Sequence, residues 1–300
     1  MGKHNVTALS EFIRMGITDR PELQAPLFGL FLLIYMISVV GNLGMAILTK
    51  VDSRLQTPMY FFLRHLSLTD LGYSIAVGPK MLVSFVVDEN KVSYYFCATQ
   101  VAFFIIFFIS ELFILSAMAY DCYVGICHPL LYTVMMSPRL WHILVVIPYL
   151  YSVTLSLLTV LNMFTSLFCS SNVIRYFYCS SLSLIALLCS DTQEIKLIIL
   201  TFSTFNLVSS LLTVLVRNKA FSTCGSQLTA IIVFYGTLFF MYLQPKSSES
   251  FNTDKVASLF YTLVIPMLNP MIYSLRNKEV KNAVYRTWTI ENSFKGPDTR

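Results

Sequence analysis

A long apolar run that begins at Ala98 ends in the stretch from residue 118 to residue 129, which reads Met118-Ala119-Tyr120-Asp121-Cys122-Tyr123-Val124-Gly125-Ile126-Cys127-His128-Pro129. The apolar core of a bilayer is about 30 Å thick, so a helix that crosses it needs about 20 mostly apolar residues. The run from Ala98 to Tyr120 has this length. This part of the chain therefore predicts a membrane-spanning helix that ends in a polar segment.

The composition of the whole chain also indicates a membrane protein. Of the 300 residues, 56% are hydrophobic and 12% are charged, whereas about a quarter of the residues of a typical soluble domain are charged. No linker or internal repeat divides the chain, so we expect an all-α membrane protein, a seven-transmembrane helix bundle that forms a single domain over residues 1–300. The predicted spans are Leu27–Leu48, Pro58–Val77, Ala98–Tyr120, Leu140–Leu161, Ile195–Val216, Leu228–Leu243 and Val256–Leu275.

Basic residues near the span ends predict the orientation of the chain. On the side of the C-terminus they are Lys50, Arg54, Arg139, Arg217, Lys219, Arg276, Lys278, Lys281 and Arg286. Because basic residues concentrate in cytoplasmic loops, residues 1–25 are expected to be extracellular and residues 276–300 cytoplasmic. The sequon at Asn5 agrees with glycosylation of an external N-terminus. A basic face against anionic membrane lipid accounts for the net charge of +5 and needs no nucleic acid.

Three carboxyl groups, those of Asp70, Glu111 and Asp121, lie within or at the end of predicted spans. A charge inside a membrane costs several kcal/mol unless it is paired or hydrated. These residues therefore predict a polar seam inside the bundle. The seam has two interpretations, because burial favours the protonated form of a carboxyl group. It either binds an ion or forms a purely structural hydrogen-bond network.

The cysteines divide between the two predicted sides of the membrane. Four lie on the outer side, where three pairings or unpaired buried thiols are open alternatives: Cys97, Cys169, Cys179 and Cys189. Three lie on the reducing cytoplasmic side, where free thiols are expected: Cys122, Cys127 and Cys224. No short Cys and His cluster has the spacing of metal ligands. A Gly-rich phosphate loop and a nucleophile motif are also absent from the sequence, so an enzyme is not expected.

The stretch from Met118 to Pro129 closely resembles the MAYDRYVAICHPL signature of odorant (olfactory) receptors, which are rhodopsin-like, class A G-protein-coupled receptors. Further motifs of the family follow in order along the chain: Gly41-Asn42, Leu55–Leu63, Leu66–Asp70, Pro79–Leu82, Lys219–Ser226, Phe234–Thr237 and Pro266–Asn277. The resemblance implies a plasma-membrane receptor that binds a small volatile odorant and activates a stimulatory, olfactory-type heterotrimeric G protein. It also implies a short amphipathic C-terminal helix.

The resemblance assigns a ligand site to the outer half of the bundle. Four residues of the third span share one helical face by their spacing: Phe104, Ile105, Phe108 and Ile109. Family position adds residues of the fifth and sixth spans: Phe202, Asn206, Leu207 and Tyr235. Such an apolar, aromatic surface with few polar groups suits a small volatile molecule. The family also implies the disulfides Cys97–Cys179 and Cys169–Cys189, which would hold the long outer loop over the bundle as a lid.

Two further sets of residues take their roles from the resemblance. The buried polar cluster, which binds sodium in related receptors, corresponds to Asn42, Asp70, Glu111 and Asn269. No cofactor other than this sodium ion is expected. Activation and G-protein coupling are assigned to Asp121, Cys122, Tyr123, Pro270 and Tyr273. Asn269-Pro270 also predicts a kink in the seventh helix, since proline removes a backbone hydrogen bond.

Two departures from the family pattern fall on the predicted cytoplasmic side. Cys122 replaces an arginine whose planar, permanently charged group has no substitute in cysteine. After Val216 the chain passes directly to Arg217, so about four turns that the family has at the end of the fifth helix are missing. These departures define the alternative function, a non-signalling or poorly coupled remnant that is either retained in the endoplasmic reticulum or binds ligand without coupling. A transporter is disfavoured by the odd number of spans and the lack of a repeat.

Overall fold

The computed structural model describes residues 11–14, 21–86, 91–165, 173–174, 178–179, 184–185, 187, 204, 208, 236, 260–276 and 279–286. The elements are β1 (Glu11–Arg14), α1 (Pro21–Val51), α2 (Pro58–Val86), β2 (Lys91–Ser93), α3 (Tyr94–Cys127), α4 (Pro138–Thr165), β3 (Val173–Ile174) and α5 (Ile265–Arg276). A helical segment over residues 279–286, here α6, follows α5. The predicted fifth and sixth spans lie almost entirely outside the described residues.

Three of the described helices are long and apolar enough to cross a membrane: Glu22–Val51, Tyr94–Cys127 and Pro138–Thr165. The helix α2 has 29 residues and carries Arg64, Asp70 and Lys80 within its apolar sequence. It packs against both α1 and α3, and α3 packs against α4. The helix α5 packs against α1 and α2, so the first and last described spans are neighbours. The predicted first four spans are therefore confirmed as helices, each of them longer than predicted; α2, for example, ends at Val86 and not at Val77.

Close packing around α2 depends on two glycines. A Cβ atom at Gly72 would overlap the ring of Phe107 on α3. A Cβ atom at Gly78 would overlap the ring of Tyr35 on α1. Small residues let the helices of a membrane protein approach closely, because lipid supplies no strong hydrophobic force between them. In α2 each glycine makes room for an aromatic side chain of a neighbouring helix.

Hydrogen bonds between α3 and α4 hold the second pair of spans. The hydroxyl groups of Ser110 and Ser152 are 3.0 Å apart, and both side chains are buried. Ser156 Oγ donates to the carbonyl of Ala102 at 2.8 Å. Such bonds between polar side chains and neighbouring helices stabilise membrane bundles.

A three-stranded sheet covers one end of the bundle, which we call the sheet end. Strand β1 lies in the middle, antiparallel to β2 and parallel to β3. Phe12 pairs with Val92, and Arg14 pairs with Ile174. The sequence predicted residues 1–25 only as an extracellular segment and the first span from Leu27, so β1 is an additional element and α1 begins earlier, at Pro21. A strand of four residues has too weak a local signal to be recognised, and here it depends on pairing with distant residues.

The opposite end, which we call the tail end, carries α6. Val280 and Ala283 are buried on one face of this helix, while Glu279 and Lys281 are exposed. Arg286 Nη2 lies 2.6 Å from Asp52 Oδ2, in the connection between α1 and α2. The predicted amphipathic C-terminal helix is thus confirmed, and an ion pair attaches it to the bundle.

Candidate functional site

Three of the four predicted polar-cluster residues meet in the centre of the bundle. Asn269 Nδ2 donates hydrogen bonds to Asp70 Oδ2 at 2.9 Å and to Glu111 Oε1 at 3.4 Å. All three side chains are buried. A buried carboxyl group is tolerated in a membrane helix when hydrogen-bond partners satisfy it. The amide of Asn269 therefore links α2, α3 and α5 through two carboxyl groups.

Asn42 supports this cluster from α1. Its Nδ2 donates to the carbonyl of Pro266 at 2.8 Å and to the carbonyl of Ser38 at 3.0 Å. Pro266 lies four residues before Pro270, whose ring nitrogen has no hydrogen to give to that carbonyl. Asn42 thus replaces the backbone bond that Pro270 removes from α5. The close contact needs Gly41, because a Cβ atom there would lie 3.2 Å from the Pro270 side chain.

Two serines join the α1 side of the cluster to Asp70. The Ser38 and Ser74 hydroxyl groups are 2.8 Å apart, and Ser74 Oγ donates to the Asp70 carbonyl at 2.8 Å. Among the described residues, Asp70 Oδ1 and Asn42 Oδ1 are buried oxygens that accept no hydrogen bond. Buried polar atoms without a partner are rare in proteins and call for an explanation such as a bound ion.

An aromatic cluster lies on the same helical face of α3, nearer to the sheet end. The ring centroid of Phe104 is 5.0 Å from that of Tyr73 and 6.3 Å from that of Phe108. Tyr178, in the segment before Cys179, stacks on Phe104 with the ring centroids 5.7 Å apart. Such ring pairs contribute about 0.5–1.5 kcal/mol beyond the burial of their surface. Helices α2 and α3 and the loop segment therefore meet at Phe104.

Gln100 and Cys97 fix the loop segment above this aromatic cluster. Cys97 forms a disulfide with Cys179, and their Cα atoms are 5.4 Å apart. Gln100 Nε2 donates to the carbonyl of Ala76 at 3.0 Å, and Gln100 Oε1 accepts from the Cys179 N–H at 3.0 Å. One side chain thus holds α2, α3 and the loop together.

At the tail end of α3, Asp121 has a hydrogen-bond partner that the sequence did not predict. The Tyr132 hydroxyl donates to Asp121 Oδ1 at 2.8 Å. Tyr132 lies in a helical turn, Tyr132–Met135, between α3 and α4. Burial, together with the hydrogen bond to Asp121, raises the pKa of Tyr132 above its ordinary value. This tyrosine therefore stays a neutral donor.

The two described cysteines at this end differ in state. Cys127 carries a free thiol, as predicted. Cys122 is disulfide-bonded, so the free thiol predicted there is wrong. The sequence assigns a cysteine to a compartment, whereas pairing depends on which sulfur atoms the fold brings together. In neither state does Cys122 supply the permanent charge of an arginine.

The connection between α3 and α4 exposes apolar side chains at the tail end. Leu130 is 95% exposed and Val134 is 74% exposed. Leu131, between them, is also exposed. A cluster of exposed apolar side chains on a loop is typical of a contact surface for a partner or a membrane.

Comparison with known proteins identifies the family. A family model described as olfactory receptor matches residues 31–290. The chain is 66% identical to olfactory receptor 8K3 of Homo sapiens, with 96% of this chain and 97% of the relative covered. It is 60% identical to human olfactory receptor 8K1, over 98% of both chains. It is 52% identical to olfactory receptor 8U3 of Mus musculus, over 94% of both. The chain belongs to the olfactory receptor family.

Membership of the olfactory receptor family confirms the predicted fold, the predicted receptor class and the embedding of the chain in a membrane. The fold is the seven-helix membrane bundle of this family, and the chain is an odorant-sensing receptor in the class of G-protein-coupled receptors rather than an enzyme. It is embedded in a membrane through several spans. The alignment with olfactory receptor 8K3 extends over 304 positions, more than the 300 residues of this receptor. The receptor therefore lacks residues that this relative has.

The structure of this receptor brings together only part of the predicted site. Phe104, Ile105, Phe108 and Ile109 are half-buried or buried on α3, and the first and third of them are in contact. The predicted Phe202, Asn206, Leu207, Tyr235, Cys169, Cys189 and Asn5 lie outside the described residues. The backbone of Tyr273 lies in α5, and the structure describes nothing of its side chain. The ring of Tyr123 lies 5.9 Å from that of His128.

Three residues around the aromatic cluster of this receptor were not predicted from the sequence. They are Tyr73, Gln100 and Tyr178. Gln100 had a usable signal, since it lies one turn after Cys97 and one turn before Phe104 on the same helical face. Tyr178 had one too, because it precedes a cysteine that was expected to pair with the start of α3.

Proposed function

We propose that this receptor binds a small, apolar, volatile odorant beside the aromatic face of α3 and activates a stimulatory G protein of the olfactory type. The observation that carries the proposal is the arrangement along α3, in which the aromatic cluster around Phe104 lies between the disulfide at Cys97 and the buried carboxyl of Glu111. A ligand there could act on the loop and on the polar core at once. The other residues of the site would be Ile105, Phe108, Ile109, Phe202, Asn206, Leu207 and Tyr235.

The chemistry of the described residues favours an apolar ligand. Tyr73, Phe104, Phe108 and Tyr178 offer aromatic surface, and their polar atoms are limited to two phenol groups. Pockets of this kind fix a small molecule by shape and by one or two hydrogen bonds. An alcohol, aldehyde, ketone or ester with an apolar body matches this surface.

Basic residues support an orientation with the sheet end outside. Lys50, Arg54, Arg139 and Arg286 lie at the tail end, and cytoplasmic loops are enriched in basic residues. The N-terminus, with the glycosylation site Asn5, is then extracellular in the plasma membrane. The tail end, with α6, faces the cytoplasm and its anionic lipid.

We propose that the polar cluster binds a sodium ion through Asp70 and Glu111, with Asn42 and Asn269 in support. The support is the pair of buried oxygens, Asp70 Oδ1 and Asn42 Oδ1, that accept no hydrogen bond from the described residues. Hard cations prefer carboxylate and amide oxygens of this kind. An ion at this position would hold α2, α3 and α5 in one arrangement.

Coupling to the G protein would use the tail end of α3 and the loop that follows it. Tyr132 holds Asp121 there, and Leu130 and Val134 extend from the loop into solvent. A ligand shifts a receptor only by binding one state better than the other. The odorant would therefore stabilise a state in which this end opens around Asp121, Cys122 and Tyr123, with Pro270 and Tyr273 moving in the seventh helix.

A second candidate function is a poorly coupled remnant, which is either retained in the endoplasmic reticulum or binds odorant without coupling. It is supported by Cys122, which lacks the charge of the family arginine, and by the residues that 8K3 has and this chain lacks. The resemblance to the family pattern implies that the missing residues follow Val216, at the end of the fifth span. Both changes affect the coupling end and spare the aromatic cluster.

A comparison of four chains separates the two functions: the native chain, Cys122→Arg, a repaired fifth helix, and both changes together. Surface labelling and the cyclic AMP response to a panel of volatile alcohols, aldehydes, ketones and esters would be measured for each. A response of the native chain supports the coupled receptor. A response of the doubly repaired chain alone supports a receptor that binds odorant and is disconnected from its G protein. If all four chains reach the cell surface and none gives a cyclic AMP response, the proposed odorant site is contradicted.

A further inference from the structure

The strand β1 presents two different faces to the receptor. The Phe12 side chain is completely buried, whereas Ile13 is 39% exposed and the Glu11 side chain is 54% exposed. Successive side chains of a strand point to opposite sides, so the strand has one apolar face toward the bundle. Val92 and Ile174, on the two flanking strands, are buried on that same side.

Phe12 is held by aromatic and backbone contacts from the helices below. Its ring stacks on that of Tyr94, the first residue of α3, with the ring centroids 6.2 Å apart. Tyr94 in turn packs against Phe164, with the ring centroids 4.7 Å apart, and donates a hydrogen bond to the Phe164 carbonyl. A segment close to the N-terminus is thus attached to the ends of α3 and α4.

Phe12 belongs to an apolar core at the sheet end that is separate from the main core. Its other buried members are Val92, Cys97, Val101, Met163, Ile174, Cys179, Leu184 and Ile185. Ile105 packs against this core and also against the main core. Since Ile105 is one turn below Val101 on α3, the sheet core lies directly over the proposed odorant site.

We propose that β1 is a gating strand, which closes the odorant site from the aqueous side and must open for a ligand to enter or leave by that route. The inference rests on the ligand site proposed above. The earlier expectation was a lid formed by the long outer loop alone. The gate proposed here adds the N-terminal segment to that lid and gives it a role in odorant exchange. The buried Phe12 side chain is the latch, and the pairing of β1 with β2 and β3 is what opens.

A ligand-free accessibility assay tests the gate on the full chain in cell membranes. Glu11 and Ser93 are paired across β1 and β2, and both are exposed. The double variant Glu11→Cys with Ser93→Cys would form a disulfide between β1 and β2. This disulfide is the lock: it holds the strand closed until a mild reductant breaks it. The probe is Ile105→Cys, labelled from outside with a membrane-impermeant thiol reagent. We expect the locked strand to slow labelling at position 105 by about tenfold or more, as for a site reached only through local opening.

Two control sets accompany the lock. Tyr95→Cys, at a position that is 81% exposed beside the gate, should be labelled at the same rate in the locked and reduced protein. In the absence of the lock, Phe12→Ala should speed labelling at position 105, while the adjacent Ile13→Ala should leave it unchanged. The same chain without Ile105→Cys gives the background labelling of the natural cysteines.

Equal labelling of position 105 in the locked and reduced protein overturns the gate, and so does an equal effect of Phe12→Ala and Ile13→Ala. Because the assay contains no odorant, its result is independent of the panel experiment. If the lock slows labelling at position 105 but the chain never responds to an odorant, the gate is supported and only the proposed ligand is contradicted.

Discussion

At the scale of single residues, Asn42 shows how one side chain compensates for a proline elsewhere in the chain. Pro270 leaves the carbonyl of Pro266 without its helical partner, and Asn42 Nδ2 donates to that carbonyl from α1. Gly41 is needed beside it because α1 and α5 approach closely at Pro270. The neighbouring residues Gly41 and Asn42 therefore act together to dock the proline-containing helix α5 against α1.

Replacing Asn42 tests this docking. We expect Asn42→Leu to lower the free energy of unfolding by about 1–3 kcal/mol, the usual cost of a buried polar group that loses its partner. Thermal unfolding in detergent would measure the change. Thr154→Val is the control, since the Thr154 hydroxyl donates to a carbonyl of its own helix on an exposed face. Equal shifts for the two variants would contradict the special role of Asn42.

At the scale of elements, an ion pair and a small apolar face attach α6 to the described part of the bundle. Arg286 on α6 contacts Asp52, which also accepts a hydrogen bond from the Arg54 N–H at the start of the turn after α1. The hydrogen bond from Arg286, followed by that from the Arg54 backbone, lowers the pKa of Asp52 below its ordinary value of 3.8. The carboxylate is thus favoured in the folded receptor.

This pKa shift gives the attachment a defined pH dependence. A carboxyl group whose pKa is lower in the folded state stabilises that state above its unfolded pKa, and the contribution is lost as pH falls through the folded value. We expect Arg286→Ala to destabilise the receptor at neutral pH and to have little effect once the pH is well below 3.8. Chemical unfolding across this pH range measures the difference, and Lys281→Ala, on the exposed face of α6, is the control. A difference that does not change with pH would contradict the ion pair.

At the scale of the whole molecule, one column of α3 residues connects the sheet core to the polar centre. Gln100 contacts the loop, Phe104 contacts Tyr178, and Glu111 shares the Asn269 amide with Asp70. Residues at these spacings occupy one side of a helix. A change at the sheet end can therefore reach the centre of the bundle through a single rigid element.

The proposed sodium ion makes a prediction for the stability of the whole bundle. We expect sodium chloride to raise the melting temperature of the purified receptor more than choline chloride does, since an ion that binds only the folded state stabilises it. Asp70→Asn should remove the difference between the two salts. Ser110→Ala, which alters another buried polar pair, should retain it. If Asp70→Asn keeps the sodium effect, the cluster is a structural hydrogen-bond network and holds no ion.

Features that depend on contiguous residues could be predicted, and those that depend on distant ones could not. The helices α1 to α4, the polar residues within them and the family were evident in the sequence, because a bilayer demands long apolar segments whose backbone bonds are satisfied within each helix. The strand β1, the stacking of Tyr178 on Phe104 and the bond of Asn42 to Pro266 were not. Each joins residues far apart in the chain, so it exists only after the helices have packed and brought those side chains within contact distance.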